Sequence, residues 1–139
     1  MASLATPSVP VSWGELLDKM TILEIKRERI AGRTAQANVA REYEALRGYG
    51  DAALHERDVA ALVRALRAVN EALWEIEDAI RAKEAQARFG PSFVRLARSV
   101  YKKNDERAAL KRAINDRLGS ALTEEKSYWS ADTLNAAAH

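Results

Sequence analysis

From Val59 to about Arg88 the chain keeps one helical period, and that run stops against Gly90-Pro91. Val59, Leu62, Val63, Leu66, Val69, Leu73, Ile76 and Ile80 recur at intervals of three and four, which is the pattern of a single apolar helix face. About 30 residues at 1.5 Å each make a rod of roughly 45 Å. Pro91 cannot continue a helix, but it suits the first turn of a new one. A second period then runs through Phe93, Leu96, Val100, Leu110, Ile114 and Leu118, with Gly119 as its stop signal. Two long helices joined by so short a break must fold back antiparallel. The expected fold class is therefore all-α, an up-and-down antiparallel helical bundle with two long helices forming a hairpin.

The rest of the chain supplies shorter helices. Residues 1–11 hold two of the three prolines and little periodicity, and predict an extended N-terminal arm. Ser12-Trp13-Gly14-Glu15 reads as a capping box, with the Ser12 hydroxyl on the Glu15 amide and Glu15 reaching back. A first helix is expected over about 13–31, ending near Gly32. Thr34 is placed to cap a short second helix, TAQANVAREYEAL, which RGYGD should break with two glycines. The long third helix then starts at Asp51 or at Asp58. Residues 12–128 are expected to form one bundle domain, and residues 129–139 a flexible C-terminal tail. Ala61, Ala65, Ala68, Ala72 and Ala79 form a second stripe on the third helix. They could pack on helix 1 or on another copy of the chain.

Composition removes several classes of function. There is no cysteine, so disulfides and thiol chemistry are excluded. With only His55 and His139, and no Glu-x-x-His pair, a metal site is not expected. No cofactor is expected either. The 22 basic residues are interleaved with 20 acidic ones, which argues against a nucleic-acid partner, since that needs a one-signed surface. No run of about 18 apolar residues is present to span a membrane. The start lacks a signal-peptide pattern, and a cytoplasmic protein is expected. The Ala/Arg bias suggests a bacterial source.

The apolar arcs are interrupted by polar residues. Glu24 and Arg27 fall inside the arc of helix 1, which holds Trp13, Leu16, Leu17, Met20, Leu23 and Ile30. Asn70, Glu77 and Glu84 fall at heptad intervals inside the arc of the third helix, with Arg81 beside them. Asn104, Arg107 and Lys111 fall inside that of the fourth. Folding the hairpin about Gly90-Pro91 sets Glu84 against Ala97, Glu77 against Asn104 and Asn70 against Lys111. Arg107 lies between the last two levels. A charge buried without a partner costs several kcal/mol. These groups therefore form an internal network that fixes helix register, line a wet pocket for an anionic ligand, or belong to a helix turned another way. Asp18 and Lys19 lie outside the arc and are expected as a solvated pair.

Three stretches resemble a bacterial family of unknown function made of small all-helical proteins. They are GELLDKMTILEIK near the start, VNEALWEIEDAIR with ARSVYKKNDERAALKRAIN in the middle, and EEKSY near the end. Together they cover most of residues 12–128. The resemblance implies a single helical domain and carries over no catalytic residue.

The leading expectation is a non-enzymatic helical binding or interaction module, homodimeric, with a polar cluster between helices 1, 3 and 4. The alternative is a small enzyme or sensor that binds an anionic metabolite in an interhelical pocket. Arg107, Lys111 and Arg27 would then hold the anion, and Glu77 would serve as acid or base. The ligand-binding candidates are Glu24, Arg27, Asn70, Glu77, Arg81, Asn104, Arg107 and Lys111. TEEKSYW, residues 123–129, is either a strap over the bundle end or a local turn.

Overall fold

The computed structural model describes residues 3–121 and Glu125. The expected strap and tail lie outside those residues, Glu125 apart. Among the described residues four helices form an all-α bundle: α1 Trp13–Arg29, α2 Arg33–Leu54, α3 Arg57–Ala85 and α4 Pro91–Leu118. Residues 3–11 have no regular secondary structure and are exposed. The hairpin is present, with α3 packed along α4. Helix α1 lies against both of them, and α2 packs on α1 and on α3.

The sequence explains most helix ends. The Ser12 hydroxyl accepts from the Glu15 amide at 3.1 Å, which satisfies one of the free donors of the first turn. The Glu15 side chain does not reach back; it pairs with Lys111 of α4. At the other end α1 stops at Arg29, with Ile30 extended and Gly32 at φ 105°. Pro91 opens α4 as expected. Gly119 closes it in the left-handed region at φ 63°, its amide on the Asn115 carbonyl, a cap that glycine accommodates without strain.

Helix α2 corrects the expected boundaries. It starts at Arg33, with Gly32 rather than Thr34 as its cap, and runs 22 residues to Leu54 without breaking at Gly48 or Gly50. Gly50 is buried against Met20 and Leu17 of α1, where a side chain would collide with the Met20 thioether. The close approach of two helices, not a turn, accounts for that glycine. Because α2 continues, α3 begins at Arg57, close to the later of its two expected starts. It ends at Ala85, short of Arg88, through Gln86 and a left-handed Ala87 at φ 52°.

The core is gathered at one end of the hairpin. Leu17 and Met20 of α1, Ala53 of α2, Val59 and Leu66 of α3 and Ile114 of α4 form its centre. No residue of α3 after Leu73 is buried, and none of α4 before Lys111. Residues 74–106 thus make a two-helix arm beyond the four-helix base. The alanine stripe does not pack on α1, since Ala61, Ala65 and Ala68 are exposed and Ala72 and Ala79 half-buried.

Candidate functional site

Helix α1 is enclosed by α2, α3 and α4, so it has no fully solvated face in the middle. Gly14, Asp18, Thr21 and Ile25, spaced by four, three and four, are all buried. Gly14 lets α1 approach α4 closely; a Cβ there would overlap the Lys111 carbonyl oxygen. Asp18, one turn further on, is 1% exposed. It is the centre of the polar cluster, contrary to the expectation of a solvated pair with Lys19. Lys19 pairs instead with Glu42 of α2.

Arg107 closes on the Asp18 carboxylate with the two donors of one guanidinium edge, Nε at 2.9 Å from Oδ1 and Nη2 at 2.5 Å from Oδ2. Planar guanidinium and planar carboxylate match in this two-point geometry. Asn70 of α3 adds a third bond, its Nδ2 donating to Asp18 Oδ1 at 2.9 Å and to Thr21 Oγ1 at 2.9 Å. Thr21 in turn donates to the Asp18 carbonyl at 2.7 Å. Each helix of the triangle α1, α3 and α4 supplies a partner, so the cluster ties all three in register. Asn70 and Arg107 meet on the same carboxylate. This is about one turn from the register that sets Asn70 against Lys111.

A second layer lies towards the start of α1. Lys111 Nζ, buried with its helix, is 2.7 Å from Glu15 Oε2. Asn115 Oδ1 accepts from the Gly14 amide at 2.7 Å, and Ser120 Oγ accepts from the Trp13 amide at 2.9 Å. With Ser12 on Glu15, the first three amides of α1 are all taken by side chains. Among the described residues, no buried side-chain nitrogen or oxygen lacks a hydrogen-bond partner.

The remaining candidates divide into two places. Glu24 and Arg27 join a surface cluster between α1, α2 and α3. Arg67 donates to Glu24 at 2.6 Å, to Glu28 at 2.6 Å and to Glu71 at 3.0 Å, and these bonds raise its pKa further above the ordinary arginine value. Tyr43 donates to Glu24 at 3.3 Å; burial, with help from that carboxylate, pushes its hydroxyl upward. The Arg27 guanidinium sits 4.7 Å over the Tyr43 ring. Glu77 and Arg81 are exposed on the arm and Asn104 is half-buried there. No hydrogen bond joins Glu77 to Asn104 among the described residues. Asp18, not Glu77, answers Arg107. Sequence reasoning missed Asp18, Glu15, Thr21, Arg67 and Asn115. The Gly14-Asp18-Thr21-Ile25 line was the available signal for two of them.

The open spaces lie elsewhere. A shallow groove of about 610 Å3 between α3 and α4 is lined by Asp58, Ala61, Leu62, Ala113, Asp116 and Arg117. None of the eight candidate residues borders it. Among the described residues no group of three or more His, Cys, Asp or Glu is placed to hold a metal ion. Among the described residues no helix is long and apolar enough to cross a membrane.

A family model described as "Family of unknown function (DUF6165)" matches residues 8–137. The chain belongs to that family. The match spans the described bundle and reaches past it at both ends, so the DUF6165 region includes all four helices. No curated protein and no solved structure matches the chain.

Proposed function

We propose that this DUF6165 protein is a non-enzymatic interaction module, a homodimeric helical bundle whose internal polar groups serve its own fold. The single observation that supports this most is the engagement of Asp18. Its buried carboxylate accepts two bonds from one edge of the Arg107 guanidinium and one from the amide of Asn70. The cations that could await an anion are engaged by groups of the chain itself: Arg107 by Asp18, Lys111 by Glu15, Arg27 by the Tyr43 ring. A buried, hydrogen-bonded ion pair favours one register of helices over others, because every alternative strands a charge. Dimerisation fits the exposed apolar side chains of the arm, Phe89, Val94 and Tyr101, each about half exposed.

The test is a thermal-shift screen with phosphate, citrate and nucleoside phosphates, run on the wild type and on Arg107→Ala. No anion should stabilise the wild type, and the variant should melt lower under all conditions. A wild-type stabilisation by one anion that vanishes in Arg107→Ala would overturn the proposal. It would favour a small enzyme or sensor that binds an anionic metabolite between its helices.

A further inference from the structure

On α3 the line that meets α1 runs through Leu66, Asn70 and Leu73. At the same helical spacing it continues through Glu77, Arg81 and Glu84. On α4 the corresponding line runs back from Lys111 and Arg107 through Asn104, Val100 and Phe93. Helix α1 covers these lines only up to its own end, where Arg29 pairs with Glu75. Beyond that point the face that is core in the base becomes an open face of the arm. Glu77, Arg81 and Glu84 are exposed there, and among the described residues none of their side chains makes an ion pair or hydrogen bond. Arg88 follows in the turn after α3, exposed, and continues the alternation of charge along the sequence. Half-buried Val100 and Phe93 lie alongside, with Phe89 packed edge-on to Phe93 at 5.2 Å between ring centroids.

Read along the arm, the row is Glu77, Arg81, Glu84, Arg88, alternating in sign. Read from the other end it has the opposite sign at every height. Such a row repels itself in parallel and complements itself antiparallel. We infer that this open face of the arm is where two copies of the chain meet, about a two-fold axis passing between Arg81 and Glu84. The axis sets Arg81 of each copy opposite Glu84 of the other, and Glu77 opposite Arg88. The apolar side chains of α4 fill the space beside the charges. This is the self-complementary patch that a two-fold dimer requires, with charge pairs setting orientation as they do between coiled-coil helices. It rests on the homodimer proposed above and locates its surface. The exposed alanine stripe of α3 is the competing surface, but it carries no such pattern.

Light scattering and sedimentation of the full chain at micromolar concentration, with three variants, test it. The wild type should weigh twice 15.4 kDa. Arg81→Glu and Glu84→Arg should each weaken self-association by about tenfold or more, because each sets like charges opposite one another. All three substituted side chains are exposed, so circular dichroism should be unchanged. Mixing Arg81→Glu with Glu84→Arg should restore the dimer, since a mixed pair regains opposite charges at every height. A wild type that stays monomeric at 100 μM, on the order of a weak dimer's Kd, would overturn both the homodimer and this surface. A wild-type dimer that both arm variants keep, whether or not Ala65→Glu dissociates it, would leave the homodimer standing and overturn the arm surface. Variants that dissociate but do not recover on mixing would overturn the two-fold register.

Discussion

Residues 57–73 and 74–85 of α3 belong to one unbroken helix, and the same three-and-four spacing runs through both. In the base that spacing buries Val59, Leu66, Val69, Asn70 and Leu73; in the arm it buries nothing. The difference is the presence of α1. A polar residue on the base line, Asn70, is 6% exposed and must satisfy its amide inside the protein. One on the arm line, Glu77, meets solvent. Periodicity therefore reports which way a side chain points, and a covering helix decides what that direction costs.

The strongest way to break the comparison is Arg107→Ala. It leaves the buried Asp18 carboxyl with Asn70 alone as side-chain donor among the described residues. The expected loss is about 3–5 kcal/mol, the range for breaking a buried pair by removing one partner. Urea denaturation reads it directly. A loss below about 1 kcal/mol, the range of exposed pairs, would mean that the base cluster is no more structural than the arm.

Next in size is Gly14→Ala. The new methyl would meet a backbone oxygen of α4, which cannot swing aside as a side chain can. Helices α1 and α4 would have to separate, at a cost of about 1–3 kcal/mol for overpacking. The Asp18–Arg107 bonds would loosen with them. If Gly14→Ala is instead stabilising, as alanine is in an unconstrained helix, the close α1–α4 contact is wrong.

The hairpin, its hinge and the whole of α4 were legible because Gly90-Pro91 and Gly119 are local signals, enforced by backbone sterics whatever surrounds them. The extent of α2 was not legible. Gly48 and Gly50 look alike in sequence, yet Gly50 is buried on Met20 while nothing lies within 4 Å of a Cβ at Gly48. That tertiary contact holds the helix through a weak stretch. The site was half legible for a related reason. A wheel assumes one buried face, which suits α3 and α4 but fails α1, because three helices surround it. Asp18 fell outside the assumed arc, so it was left out of the set that held Arg107 and Lys111. Asn70 and Lys111 are buried in the base and Arg107 is half-buried there, whereas Arg27, Glu77 and Arg81 are exposed. The partners of the base residues were set by the packing of α1 on α3 and α4, and no short connection joins α1 to either.

Arg67→Ala probes the surface cluster, which is intermediate between base and arm. Its side chain is 29% exposed and holds Glu24, Glu28 and Glu71 together. Removing it leaves three carboxylates close to one another. A loss of about 1–2 kcal/mol is expected, between the exposed and buried ranges. It should grow in low salt, where the repulsion is less screened. Denaturation midpoints at two ionic strengths measure both. Equal losses at the two would mean that packing of the arginine stem, not charge, carries the effect.

The smallest effect is expected at Glu77, and it sharpens the comparison most, because sequence alone placed Glu77 beside Arg107 in one set. Glu77 is exposed, and among the described residues its side chain has no hydrogen-bond or ion-pair partner. Glu77→Ala removes no buried contact, and alanine is at least as good a helix former. Stability should change by less than about 0.5 kcal/mol, as for surface positions generally. The measurement belongs below micromolar concentration, where mass action keeps self-association from adding to the stability of the fold. At higher concentration the same variant should lower the denaturation midpoint, because it deletes a charge from the row that pairs two copies. A loss of about 2 kcal/mol already present in the dilute chain would show that the arm face is packed within one molecule. Base and arm would then be a single core.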